Sequence, residues 1–251
     1  MKTRYFIFIS YKGTSYHGWQ LQPNSVTVQK ILEEALGTIL NEKTDTTGAG
    51  RTDAGVHARI FCAHFESSSD ELAGNKKLIT RLNRYLPKDI SVSGIRRVLP
   101  DAHARFSAIS RTYRYYITTA KDPFTEESAW YLQNPPDIAP MNNGCSILLK
   151  HNDFTSFSKL HSDVRTNDCR IIKAEWVQDN NMYIFTIKAD RFLRNMVRAI
   201  VGTMMDLGRK KIGPEDFESI ILARDRGKAG KSAPAKGLFL EDIEYPTEIY
   251  I

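Results

Sequence analysis

Residues 48–58 read Gly48-Ala49-Gly50-Arg51-Thr52-Asp53-Ala54-Gly55-Val56-His57-Ala58, and what flanks this stretch decides the fold. Three glycines in eight residues predict a tight loop where backbone can approach a ligand closely. Upstream, Val28, Ile31, Leu32, Ala35, Leu36, Ile39 and Leu40 recur at i, i+3, i+4, i+7 and i+8, a single core-facing helical stripe. Thr27 stands where its hydroxyl can cap the first turn. Downstream, residues 59–66 alternate as a strand, with Phe61, Ala63 and Phe65 on one face. Further out, residues 4–11 (RYFIFISY) alternate too, Phe6 and Phe8 against Tyr5, Ile7 and Ile9, as in a strand partly buried on both sides. A helix over 71–86, stopped by Pro87, and a strand over 90–98 complete the order strand, helix, loop, strand, helix, strand.

The second half repeats this grammar. Residues 111–119 predict a strand with Tyr113, Tyr115 and Ile117 on one face and Thr112, Arg114 and Tyr116 on the other. A short helix is expected over 142–150. Strands over 169–178 and 182–189 flank Asp179-Asn180-Asn181, a hairpin turn. A helix over 192–207 buries Phe192, Met196, Ile200 and Met204 and ends at Gly208, a C-terminal signal. Pro214 opens another helix to about Ala223, and residues 237–243 read as a last strand. Hairpins with two helices per half favour α+β with largely antiparallel sheets over a doubly wound parallel fold. Two similar subdomains are expected, 1–107 carrying the glycine-rich loop and 108–251 the rest.

The chain has 251 residues, 41% of them hydrophobic and 25% charged, an ordinary globular balance. Its net charge of +6 is unevenly placed. Residues 1–110 carry 15 Lys and Arg against 10 Asp and Glu; residues 188–236 carry 12 against 6, ahead of an acidic tail. This is compatible with solvated helix faces or with a positive surface suited to a phosphate backbone. Cys62, Cys145 and Cys169 form no CxxC pair and no disulfide framework, which points to a reducing cytoplasm. The N-terminal apolar run is too short for a signal peptide, and no stretch has the length to cross a bilayer, so no membrane association is expected. The six histidines lack metal-ligand spacing, so no metal is expected.

Taken as a residue alone, Asp53 is either a turn aspartate bonded to its own backbone or a reactive carboxylate. The pattern around it decides. GRTDAGVHA resembles the active-site segment of the TruA-type tRNA pseudouridine synthases. Tyr11-Lys12-Gly13-Thr14-Ser15-Tyr16-His17-Gly18-Trp19-Gln20 is similar to that family's N-terminal signature. His103-Ala104-Arg105-Phe106-Ser107-Ala108 followed by Arg111-Thr112-Tyr113-Arg114-Tyr115 is similar to its central one. Phe192-Leu193-Arg194-Asn195-Met196-Val197-Arg198 with Val201-Gly202, then Ala233-Pro234-Ala235 and Gly237-Leu238, resemble its C-terminal ones. The matches keep the family's order over nearly the whole chain.

The resemblance implies the pseudouridine synthase fold, with an active-site cleft between the two subdomains. It implies an enzyme that breaks the glycosidic C–N bond of a tRNA uridine at positions 38–40, turns the base, and rejoins it through C5. Asp53 would be the nucleophile, attacking base or sugar, or else a base for a sugar proton. Arg198 matches the arginine that keeps this carboxylate charged and aimed. By residue pattern alone, Arg191, Arg194 and Arg198 at i, i+3 and i+7 could instead be a solvated stripe. Tyr113 matches a tyrosine that meets the base and serves the last proton loss from C5; otherwise it is strand core. Leu238 would wall the base pocket, and reads equally as strand core. Arg51 resembles the arginine that helps a flipped base out of the stack. His103, Arg105, Phe106 and Arg165, in the segment 159–165, match regions that contact tRNA. No cofactor is implied, because the rearrangement is redox-neutral, and the family works as a homodimer.

Two other readings remain in view. A non-catalytic RNA-binding module on the same fold would not need the set Arg51, Asp53, Tyr113 and Arg198. A P-loop hydrolase is suggested by Gly230-Lys231-Ser232, but position 225 is Asp where that motif needs glycine. The segment reads better as a basic loop with Arg224, Arg226, Lys228, Lys231 and Lys236.

Overall fold

The computed structural model describes residues 2–159 and 166–251. The chain divides into two compact units, Met1–Ile109 with Leu240–Ile251, and Ser110–Phe239. In the first unit run β1 (Thr3–Tyr11), α1 (Val28–Leu40), β2 (Thr46–Gly48), β3 (His57–Ser67), α2 (Lys76–Tyr85) and β4 (Ile90–Arg97). β1 lies between β4 and β3, antiparallel to both, and β2 runs antiparallel to β3. Tyr5, Ile7 and Ile9 are buried on one face of β1 and Phe6 on the other. The doubly apolar alternation of residues 4–11 has this cause. Chain-terminal residues return to the first unit, where Tyr245 and Tyr250 set their rings edge-on against Phe6.

The second unit holds β5 (Ser110–Thr118), β6 (Trp130–Tyr131), α3 (Ile138–Leu148), β7 (Ile171–Asp179), β8 (Met182–Ala189), α4 (Met196–Gly208), α5 (Pro214–Leu222) and the start of β9 (Leu238–Glu244). Its strand order is β9-β5-β8-β7, with β6 parallel to β5 and β8 antiparallel to β5 and β7. The expected β7–β8 hairpin is present, Asn180 taking the left-handed conformation at φ 51°. Both units share one wiring. The first strand lies between the fourth and the third, and the second pairs with the third, for β1, β2, β3, β4 and for β5, β7, β8, β9 alike. The fold is α+β with mostly antiparallel pairing.

Helix α1 starts where Thr27 caps it, the hydroxyl accepting from the Lys30 N–H at 3.4 Å. Three other helices depart from the pattern-based bounds. α2 starts at Lys76, not 71, because Asn75 accepts the Leu78 N–H at 3.0 Å and Gly74, at φ 64°, turns the chain just before it. α3 starts at Ile138, not 142, capped by Asp137 on the Ala139 N–H. Pro140 fits in this first turn because the N–H it lacks would be unpaired there anyway. α4 starts at Met196, not 192, after Asn195 in the left-handed conformation. Phe192 is therefore half-buried and outside the helix, and Arg191 and Arg194 do not share a helical stripe with Arg198.

Gly208 also plays a different part from the one expected. It is the last residue of α4, and the positive φ falls later, on Lys210. A Cβ at 208 would stand 2.6 Å from the Pro136 Cβ and 2.7 Å from the Met141 sulfur, so glycine is needed for α3 to pack against α4. Strands β2 and β6, three and two residues long, are too short to show periodicity.

Candidate functional site

In the first unit, Asp53 is half-buried on the loop between β2 and β3, and Arg51 is exposed. The loop turns at Asp53, whose carbonyl accepts the Val56 N–H at 3.1 Å, and Gly55 has a φ of 79°. Before that turn the Ala49 N–H reaches the Cys62 carbonyl at 2.8 Å. The remaining supports come from residues 11–19. The Tyr11 and Thr52 hydroxyls are bonded at 2.9 Å in a buried setting, one residue before Asp53. The Gly13 N–H donates to Nδ1 of the fully buried His57 at 3.0 Å, which places the His57 ring proton on Nε2. The N–H of Trp19 points at the Thr52 carbonyl, and Trp19 stacks on Phe61 with centroids 4.2 Å apart.

The glycines of that N-terminal segment follow from this closeness. A Cβ on Gly13 would lie 2.0 Å from the Val56 carbonyl oxygen, and one on Gly18 2.2 Å from that of Thr52, with φ already at 85°. Gly48 likewise faces the Trp19 ring. Gly50 differs, since nothing lies within 4 Å of a Cβ built there. The loop's glycines thus serve three needs: close packing, a left-handed turn, and open space beside Arg51.

The second candidate cluster of this unit centres on His103. Its Nδ1 accepts the N–H groups of Arg105 and Phe106 at 3.1 and 3.4 Å, and its ring meets His64 at 4.6 Å. His64 Nδ1 accepts the Ala104 N–H at 3.1 Å. Burial, with the nearby His103 and Arg4 charges, pulls His64 down to about 4; burial and the Arg4 and Arg105 charges lower His103 as well. Both rings therefore stay neutral and keep their accepting nitrogens. Out of this frame project Arg105 and Phe106, the latter 74% exposed with the guanidinium 5.4 Å from its ring centre.

In the second unit, Arg198 sits two residues inside α4 and is half-buried. Its Nε donates to the Ala233 carbonyl at 2.8 Å, while the Ala233 N–H donates to the Arg198 carbonyl at 2.9 Å. Residues 224–236 form a strap across α4 at this point. A Cβ on Gly202 would stand 1.7 Å from the Lys231 carbonyl oxygen, so the strap rests directly on helix backbone. Asn195 Nδ2 and Arg226 both donate to the Ser232 hydroxyl, and the Gly230 N–H donates to Thr203. Ser232 and Gly230 are occupied as braces, and α5, not a strand, precedes them, so no phosphate loop is built here.

Tyr113 is half-buried, with Phe192 edge-on at 5.0 Å, whereas its strand neighbours Tyr115 and Ile117 are fully buried. Tyr115 donates its hydroxyl to the Pro234 carbonyl at 2.8 Å, which ties β5 to the strap. Gly237 is needed where its Cβ would meet the Tyr115 ring at 2.8 Å, and Leu238, next to it, is buried. Of the basic loop residues, Arg224 pairs with Asp153, Lys236 pairs with Glu126, and Arg226 bonds within the strap. Arg165 lies outside the described residues.

Comparison with known proteins covers nearly the whole chain. A family model described as tRNA pseudouridine synthase matches residues 148–246. A protein of Bacteroides fragilis called tRNA pseudouridine synthase A is 54% identical over 248 residues, 98% of this chain and 98% of its own. Its namesakes from Parabacteroides distasonis and Bacteroides thetaiotaomicron are each 51% identical, over 98% of this chain and 98% and 92% of theirs. The chain belongs to the tRNA pseudouridine synthase family.

In this tRNA pseudouridine synthase both local settings are held by hydrogen bonds. The loop around Asp53 is held from residues 11–19, and the Arg198 guanidinium is anchored through Nε. Sequence reading missed Tyr11, Gly13, Gly18, Thr52 and His57 as supports of the loop. Their signal lay in the two glycine-rich segments, each of which needs the other's backbone at close range. Among the described residues no group of three His, Cys, Asp or Glu side chains could hold a metal ion, and no helix is long and apolar enough to cross a membrane.

Proposed function

We propose that this chain converts uridine to pseudouridine at positions 38–40 of the tRNA anticodon stem-loop, with Asp53 as the nucleophile. The observation that carries the reading is the 54% identity, over nearly the full length of both chains, to a protein called tRNA pseudouridine synthase A. In the reaction the N1–C1′ bond breaks, the freed uracil turns, C5 bonds to C1′, the C5 proton is lost and N1 gains a proton, so the product is an isomer. Each role open to Asp53, attack on base or sugar or removal of a sugar proton, requires its ionised form. Arg198 serves as the cation that holds it so, Tyr113 as the group against the base, Leu238 as an apolar wall, and Arg51 as the side chain at the opening of the stack. His103, Arg105 and Phe106 contact the RNA, as does Arg165. The enzyme acts as a homodimer in the cytoplasm, without cofactor or metal.

The test uses tRNA tritiated at uridine C5, with tritium release as the readout. Wild type releases tritium, and Asp53→Ala reduces release by on the order of a thousandfold or more while still binding tRNA. Undiminished release by Asp53→Ala would remove Asp53 from the chemistry. Absence of release by wild type from any tRNA would favour a binding module on this fold.

A further inference from the structure

Helix α2 carries an exposed basic face that neither the fold nor the site above requires. Between Glu71 and Asp89 there is no acidic residue and there are five cations, Lys76, Lys77, Arg81, Arg84 and Lys88. All five are exposed, whereas Leu78 and Leu82 of the same helix are buried. Lys77, Arg81 and Arg84 follow one another at i, i+4 and i+7, so they line one helical ridge, and Lys88 follows beyond the helix end. Tyr85, 51% exposed, lies beside this ridge.

Stability alone would not select this arrangement. Like charges at i, i+4 cost a few tenths of a kcal/mol per pair, and cations in a first turn oppose the helix dipole. Lys76 and Lys77 stand in the first turn of α2, which has no acid. Several exposed cations elsewhere stand beside an acid: Lys43 with Asp45, Lys173 with Glu175, Lys210 with Asp137, Lys211 with Asp206. Among the described residues, none of the five cations of α2 and its continuation makes an ion pair. A merely solvated face would mix signs, as those regions do.

We propose that this face of α2 docks the sugar-phosphate backbone of the tRNA substrate. The proposal rests on tRNA being the substrate, as proposed above, and adds a surface on the first unit. A row of unpaired cations matches a polyanion, guanidinium groups grip phosphate oxygens in pairs, and an exposed tyrosine can lie against ribose or base. Phosphate contacts carry no sequence information, so the surface supplies affinity and orientation and leaves target choice to the site.

The experiment measures tRNA binding against salt for wild type, K77Q/R81Q/R84Q, and a charge-matched K43Q/K173Q/K211Q. Glutamine keeps the helix, which circular dichroism verifies. The α2 variant is expected to bind tRNA at least about tenfold more weakly near 0.1 M salt, with the log–log salt slope reduced by roughly 2 to 3. Its kcat at saturating tRNA stays at the wild-type value, and the charge-matched variant binds as wild type does. Unchanged affinity and slope overturn the proposal. So does an equal loss in the charge-matched variant, which would mean total charge alone, or a loss confined to anionic vesicles with tRNA binding intact. If wild type binds tRNA through α2 but releases no C5 tritium, the catalytic reading falls and the docking surface stands.

Discussion

The Asp53 loop and helix α4 solve one problem in opposite ways. Asp53 stands on irregular backbone that has no ladder of its own, so its position is imposed from outside by Tyr11, Gly13 and Trp19. Arg198 stands on a helix whose backbone is set by its own hydrogen bonds, and the strap at Ala233 adds only the orientation of the side chain. A loop lets a carboxylate be presented beside open space, as at Gly50, where a helix would cover it with its own neighbours. A helix gives a cation a stiff mount among buried residues. The difference teaches that loss of a support should be felt as misplacement in the first case and as lost orientation in the second.

The sharpest test of that contrast is Arg198→Ala. Turnover is expected to fall by on the order of a hundredfold or more while tRNA affinity changes little. A loss seen mainly in affinity would make Arg198 a phosphate contact. Next come the two close contacts. Gly202→Ala would press a methyl into the Lys231 carbonyl, and Gly18→Ala would do the same at Thr52 from a left-handed backbone. Each should cost about 3 kcal/mol or more in denaturant unfolding, whereas Gly50→Ala, facing open space, should stay within about 0.5 kcal/mol. Equal costs at 18 and 50 would mean the loop is not clamped as described.

Acid is a gentler test, read at His64 of the first unit. Folded His64 titrates near 4 against 6.5 for a free histidine, so between these values only the unfolded chain takes up the proton. Its contribution is therefore complete above about pH 6.5 and is lost as pH falls toward 4, with a slope of at most about 1.4 kcal/mol per unit. Unfolding midpoints over that range should fall in wild type and flatten in His64→Gln. The smallest expected effect is on the hydroxyl pair. Tyr11→Phe and Thr52→Val should each cost about 1 kcal/mol and the double variant no more than either, since they delete one bond. Thr52→Ser should restore it, and additive losses would show that the two hydroxyls act separately.

How much was legible beforehand depended on the range of the forces involved. The α1 stripe, its Thr27 cap and the alternation of β1, β3 and β5 are local patterns, and all three stand in the structure. The early limits set for α2 and α4 failed where Gly74 or Asn195 turned the chain, at φ 64° and 65°, at or just before the helix start. The late limit set for α3 missed its first turn, which Asp137 caps and which contains Pro140. The arginine stripe at 191, 194 and 198 failed for the same local reason, since the helix begins after the first two. The proposal for Arg198 does not depend on that stripe, because it came from the surrounding motif and not from spacing.

The amino-acid sequence by itself determined the elements, the antiparallel α+β character, and the family, because periodicity and motif order are properties of the chain. Only the tertiary structure decided why particular glycines are there and which side chains brace the site. Gly13, Gly18, Gly202 and Gly237 are each required by backbone or rings from residues 29 or more positions away or, for Gly237, from β5. Such contacts leave no periodic trace, since they arise from where distant segments meet and not from what stands next in the chain.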